Sequence, residues 1–470
     1  MSGSKKSARA QRSAPTRTAE QLARTDIGPR PLPPLMKQGK TRQLAQTEVT
    51  TPAGLRVIAI RKPGAPIIEV RLRIPFAARS GHQAAAHAAR AEVLAETILL
   101  GTADIDRRRI DTTLGAVGGG LHAAVDPQRL SLAGSVLATG LGVLARILAL
   151  SLTGAAYRAG DVAGERERLV EHLLISTTQP GVIARQALLR KRFGDHPAVH
   201  EMPSGPDVAA VGAAAVRGLH RRAVVPQGST LVLVGDLSVK SAAESVAQAL
   251  SIWTGEHPAR TMATPPAGLG GALQAVHRPG AVQSQVRLSG PAPLRSDPEY
   301  PAFQLANLIF AGYFSSRLVE NIREDKGYTY SAGSSAEFWP GRSLVSVAFD
   351  TNTETTAPAL LETRYELAKL ALLAPSETEV ESARNYALGT LALSLSTQAG
   401  YASTLSRLLG AGSDADWLRE HPARLAAVTR DEVADAAARW FGPTAFTGVV
   451  VGDLDRIGDQ LQRLGGVSVP

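Results

Sequence analysis

Thr230-Leu-Val-Leu-Val-Gly-Asp-Leu237 is written a second time as Thr447-Gly-Val-Val-Val-Gly-Asp-Leu454, with a shift of 217 residues from Gly235 to Gly452. Each copy is a short, β-branched apolar run closed by Gly-Asp, which reads as a buried strand passing into a polar turn that opens a helix. Working outward, each run follows a helix-like segment, Val208 to Arg222 in the first copy and Arg430 to Phe441 in the second. At the other end of the unit, the turn Arg61-Lys-Pro-Gly-Ala65 returns as His277-Arg-Pro-Gly-Ala281. Both turns lead into a Val-Arg-Leu triplet, Val70 to Leu72 and Val286 to Leu288, at a shift of 216. Two patterns at nearly one shift, at both ends of a unit, mark an internal duplication. The expected fold is therefore α+β, with two similar halves over residues 46–255 and 270–470. Val234 and Val451 should lie on equivalent strands. Residues 256–269, with Pro258, Pro265 and Pro266, read as the linker, and residues 1–45 as a disordered tail.

The 470 residues are too many for one ordinary core, and their 44% apolar content supports a large interior. Cysteine is absent, which excludes disulfides and thiolate chemistry and fits a reducing compartment. The apolar run Leu141 to Ala156 is interrupted by Arg146 and is too short for a bilayer span. The formal charge is +9, but residues 1–46 carry ten Lys/Arg against Glu20 and Asp26, so the body is close to neutral. A tail without aromatics or apolar period does not make a nucleic-acid surface. A soluble, cytoplasmic protein is expected, with no nucleic acid as partner and no membrane span. The triple glycine Gly118–Gly120 lacks the Lys-Ser/Thr ending of a phosphate loop and reads as a tight turn.

Chemistry concentrates in Ser315-Ser-Arg-Leu-Val-Glu-Asn-Ile-Arg-Glu-Asp-Lys-Gly-Tyr-Thr-Tyr330. Phe303, Leu308, Ile309, Leu318 and Ile322 give a broken helical apolar spacing, and Gly327 stands where a helix end favours positive φ. Arg323 is then in the last helical turn. Tyr328 to Tyr330 are strand formers, so the chain folds Tyr330 back near Arg323. A guanidinium and a phenol on one wall suit a polarised peptide carbonyl or a developing oxyanion. The plainer alternative is that Arg323 caps its helix and Tyr330 fills a core position.

This stretch resembles the second-half signature of the pitrilysin/insulinase family of zinc metallopeptidases, a helix ending in Arg-Glu-x-x-Gly-x-x-Tyr. The resemblance covers nearly the whole body and implies two similar halves of the processing-peptidase and LuxS-like type enclosing a chamber. It also implies that Arg323 and Tyr330 contact substrate, with Tyr330 helping to stabilise the tetrahedral intermediate. Active members carry His-x-x-Glu-His on a first-half helix just before a Gly-Thr pair. Here Gly101-Thr102 is preceded by Glu92 and Glu96 at the two histidine positions and Ala95 at the base position. The family's third ligand, a glutamate beyond a start like Glu165-Arg-Glu-Arg168, falls on Leu174. These four positions imply a degenerate site without zinc, since two carboxylates replace neutral imidazoles and the general base is missing. His196 and His200 have helical ligand spacing, but Pro197 between them argues against a regular helix.

The expectation is a non-catalytic, substrate-binding subunit of a heterodimeric peptidase. A zinc-bearing subunit of the same family would be its partner, holding the metal, and a peptide its substrate. The alternatives are a structural protein resembling the core subunits of respiratory cytochrome reductase, and an active zinc peptidase with unusual ligands.

Overall fold

The repeated strands occupy equivalent interior positions of two six-stranded sheets in a computed structural model that describes residues 43–268 and 270–470. The disorder expected for the basic tail falls on residues that lie almost wholly outside this range. The first sheet comprises β1 (Gln46–Thr50), β2 (Arg56–Arg61), β3 (Ile67–Pro75), β4 (Gly120–Asp126), β5 (Arg129–Leu137) and β6 (Thr230–Gly235), ordered β1-β2-β6-β3-β5-β4. The second comprises β7 (Leu273–His277), β8 (Gln283–Ala292), β9 (Thr329–Trp339), β10 (Arg342–Asn352), β11 (Thr447–Gly452) and β12 (Val467–Ser468), ordered β12-β7-β11-β8-β10-β9.

The central registers coincide. Arg61 lies opposite Gly235 across the parallel pair β2–β6, as His277 lies opposite Gly452 across β7–β11. Val70 faces Leu233 across β3–β6, as Val286 faces Val450 across β8–β11. Only the strands beside β2 and β7 differ: β1 comes from the start of the first half and is antiparallel, whereas β12 comes from the chain end and is parallel.

One face of each sheet carries helices of its own half. Leu94, Leu148, Leu219 and Val246 pack the first core, and Phe303, Leu360, Val433 and Leu461 the second. The other face is covered by a helix from the opposite half. Helix Gln398–Gly410 sets Ala402, Leu405 and Leu408 against Ile58, Ile60, Val232 and Val234. Helix Pro180–Phe193 sets Ala184 and Leu188 against Val449 and Val451. This exchange explains the unbroken apolar runs of the repeated strands, whose alternating side chains enter a core on either face. Each fully buried aliphatic side chain contributes about 1.5–3 kcal/mol, so the crossing contacts hold the halves together.

Polar ties follow the same crossing. Arg71 Nε donates to Ser403 Oγ (3.3 Å), Arg73 Nη1 to the Ser406 carbonyl (3.0 Å) and Gln398 Nε2 to the Lys62 carbonyl (2.9 Å). On the other side Arg185 donates to Glu201 (2.8 Å) and to Glu337 (2.7 Å), joining helix Pro180–Phe193 to β9.

The single helix-like segment expected over Val208 to Arg222 is two helices, Gly205–Ala209 and Ala213–Ala223. Gly212 between them is extended (φ −108°, ψ 161°) and restarts the helix as its N-cap residue. The triple glycine is a turn, with Gly118 at φ +60°.

Candidate functional site

Arg323 and Tyr330 are brought together by a helix that twice departs from regular winding. Helix Tyr300–Asn307 runs into a π-helical turn, Leu308–Gly312, and is broken at Ala311 (φ −157°, ψ 19°). Tyr313 is fully extended, and the chain winds again through Arg317–Val319 into a second π-helical turn, Glu320–Asp325. Gly327 then takes φ +63°, and the Tyr328 N–H closes the turn on the Ile322 carbonyl (2.8 Å) before β9 begins at Thr329. A side chain at Gly327 would have to adopt the left-handed backbone region that only glycine enters freely.

The Arg323 guanidinium carbon lies 5.7 Å from the Tyr330 ring centre and 4.3 Å from that of Phe314. Tyr330 is 88% exposed and Phe314 62%. The core-filling alternative for Tyr330 is therefore not its role. Phe314 was missed in the sequence, where it sits inside an apparently helical run; the break at Ala311 is what turns it out over Arg323.

This trio, with Phe314 and Tyr330 exposed and Arg323 half-buried, stands on a fixed base. Buried Asn321 donates from Nδ2 to Glu366 (2.8 Å) and Glu362 (3.1 Å) and accepts from Lys326 Nζ (2.8 Å), tying the second π-helical turn to helix Thr356–Leu372. Arg317 makes a two-pronged bond to Glu379 through Nε (2.6 Å) and Nη2 (3.0 Å). Burial works against the Glu379 charge, but the Arg317 guanidinium and the Ser376 backbone N–H outweigh it and hold the carboxyl down at about 2.

Glu92, Ala95 and Glu96 lie on helix Gly81–Thr97, and Leu174 on the neighbouring helix Ala159–Ser176. Ala95 is buried, Glu96 exposed, and Leu174 is 64% exposed. Burial, with Glu96 and Asp126 adding repulsion, pushes the Glu92 carboxyl up to about 7. His87, nearby on the same helix, has its Nε2 2.6 Å from the Phe76 carbonyl and is pulled down to about 4 chiefly by burial. A carboxyl whose charge burial disfavours, an alanine and an exposed leucine do not fit zinc. His196 and His200 do not share a helix, because Pro197 opens a short 3-10 turn that His196 caps, accepting the Ala198 N–H at Nδ1.

The position of Glu92 gives a pH prediction. Its folded value lies above the ordinary 4.5, so the folded state holds this proton more tightly than the unfolded chain. Stability is then favoured below the unfolded value and falls as pH rises through about 7. Glu92→Gln should raise stability by about 1–3 kcal/mol at pH 8 and leave it unchanged near pH 4. Thermal unfolding of both proteins across that range checks it; equal curves at pH 8 would contradict the buried carboxyl.

His277, Asp453 and Asp455 bring a ring nitrogen and two carboxylates within 4.8 Å of one another. His277 Nδ1 and the Asp453 carboxylate already have backbone partners, while the exposed Asp455 carboxylate lies 3.8 Å from His277 Nε2. His277 Nδ1 accepts the Leu454 N–H (3.1 Å), and Asp453 accepts the Gly280 and Asp455 N–H groups. The first half has Arg61 paired with Asp236 (3.3 Å) at the matching place. The cluster is thus a duplicated structural tie at the end of the repeated strand.

Residues 210–386 match the profile of the peptidase M16 inactive domain. An uncharacterized zinc protease of Mycobacterium tuberculosis is 25% identical over 372 residues, covering 77% of this chain and 83% of that protein. One from Streptomyces coelicolor is 23% identical over 395 residues, covering 83% and 85%. The crystal structure of a peptidase M16 inactive domain from Pseudomonas fluorescens superposes with a TM-score of 0.78 at 19% identity, covering 87% of this chain and 98% of that one. A protease from Helicobacter pylori gives the same TM-score at 16% identity, covering 87% and 100%. These two structures share the fold.

Proposed function

We propose that this chain, which matches the profile of the peptidase M16 inactive domain over residues 210–386 and is similar to uncharacterized zinc proteases, is the non-catalytic, substrate-binding subunit of a two-chain zinc peptidase. The partner supplies zinc, general base and attacking water. This chain supplies the second wall of an enclosed chamber, and there Arg323 and Tyr330 engage peptide carbonyls.

The observation that carries this reading is the contrast between the two halves. In the second, a half-buried guanidinium and an exposed phenol stand on a base fixed by Asn321 and Arg317. In the first, the positions for zinc hold Glu92, Ala95, Glu96 and Leu174. A rigid donor pair needs no reorganisation as charge develops on a carbonyl oxygen, so its value survives the loss of the metal from the same chain.

The test mixes this chain with a His-x-x-Glu-His member of the family encoded in the same genome. Association is followed by size, zinc by elemental analysis of each chain, and cleavage with a peptide mixture. Zinc should copurify with the partner alone, and cleavage should require both chains. About one tightly held zinc in this chain by itself, or a partner whose activity ignores this chain, would overturn the proposal.

A further inference from the structure

In the second half, a cavity of about 350 Å³ opens between helix Thr356–Leu372 and the sheet. Its floor is aliphatic and aromatic: Leu273, Leu288, Leu360, Leu367 and Phe446, all buried. Arg364 stands in its lining. That volume lies at the lower end of the range of small-molecule sites, about 300–1,000 Å³.

Arg364 is held by the end of helix Leu454–Leu464. Its Nη1 donates to the Leu464 (3.5 Å) and Gly465 (2.7 Å) carbonyls and its Nη2 to the Gly466 carbonyl (3.3 Å). Gly465 and Gly466 both take positive φ, +72° and +64°, in the turn that supplies two of these carbonyls, a backbone path suited to glycine. A guanidinium has five N–H donors, so two are left without a partner among the described residues. No carboxylate of the described residues answers its charge, and burial alone pulls its pKa down.

The duplication supplies a second observation. In the first half the indole of Trp253 is buried in the corresponding core and donates Nε1–H to the Val224 carbonyl (3.1 Å). Val224 matches Phe441 at the shift of 217, and in the second half Pro443, Thr444 and Phe446 just beyond it border the cavity. After helix Leu454–Leu464, the second half runs through two glycines into β12, and the lining of the cavity holds no indole.

We propose that this cavity binds a medium-chain aliphatic carboxylate, its tail against Leu288, Leu360 and Phe446 and its head on the free edge of Arg364. The apolar floor excludes polar ligands, which would lose their water without replacement bonds. The single unanswered guanidinium selects a monoanion over a neutral chain. The site is separate from Arg323 and Tyr330 and does not depend on the peptidase reading.

The experiment is calorimetric titration of the full-length chain with sodium decanoate below its micelle concentration, with decanol and an amino-blocked peptide ending in leucine as comparisons. Decanoate should bind with one-to-one stoichiometry, and decanol about tenfold or more weakly. Arg364→Gln should lose that preference, and Arg364→Lys should restore part of it. Thr444→Trp, which fills the mouth, should abolish binding of both. Thermal unfolding identifies any variant that fails to fold, and Arg364→Lys keeps the charge requirement testable if Arg364→Gln does. No saturable decanoate binding, decanol binding equal to decanoate, or indifference to Thr444→Trp would each overturn the proposal. So would a leucine-ending peptide that displaces decanoate and binds more tightly, since a peptide C-terminus would then be the occupant.

Discussion

Replacing Tyr330 by phenylalanine is expected to slow peptide cleavage by the proposed two-chain enzyme about a hundredfold, with folding and association unchanged. A donor aimed at the developing oxyanion is worth about 2–4 kcal/mol, and the substitution removes that donor while keeping the ring. Because Tyr330 is 88% exposed, it carries almost no packing energy, and its loss should not register in thermal unfolding. Arg323→Ala should act differently. Its guanidinium, set between the Phe314 and Tyr330 rings, would engage substrate in the ground state as well as the transition state, so the loss should fall mainly on KM. Steady-state kinetics of each variant mixed with a zinc-bearing partner separate the two effects. Wild-type rates from both variants would leave the pair without a role in cleavage.

Arg185→Met is expected to cost the folded chain about 2–3 kcal/mol, below the ~3–5 typical of breaking a fully buried ion pair because each member keeps some contact with water. Burial works against the Arg185 charge, but its bonds to Glu201 and Glu337 overcome that and raise its pKa. Removing the guanidinium leaves two carboxylates facing each other across the join between the halves, with Ser346 Oγ still donating to Glu337. The added changes Glu201→Gln and Glu337→Gln should recover most of the loss, since they remove the stranded charges. Denaturant unfolding of the single and triple variants reads both numbers from the midpoint at constant slope. A loss of a few tenths of a kcal/mol from Arg185→Met would assign the join to the exchanged helices alone.

Much of the second-half site was legible because its signals are local. Gly327 requires a positive φ that its neighbours make costly, and the seven-residue step from Arg323 to Tyr330 is short enough for a helix, a turn and a strand to fix their meeting. The positions Glu92, Ala95, Glu96 and Leu174 were located only through the family resemblance; what chemistry adds is that no backbone conformation turns an alanine into a base. Phe314 was hidden because its exposure depends on the break at Ala311, and π-helical winding leaves no composition signature in so short a segment.

By itself the sequence determined the duplication: equal strand and turn patterns at shifts of 216 and 217 demand equal registers, and β6 and β11 have them. It also required the repeated strands to be buried on both faces, since Val232 and Val234 alternate with Leu231 and Leu233 without a polar residue between them. What covers the second face was decided only in the tertiary structure. Helix Gln398–Gly410 lies on the first sheet, helix Pro180–Phe193 lies on the second, and Arg185 meets Glu337 across 152 residues of chain. Hydrophobic burial is proportional to area and indifferent to which half provides it, so the periodicity of a helix specifies that it has an apolar face and leaves the choice of sheet to the packing of the whole chain.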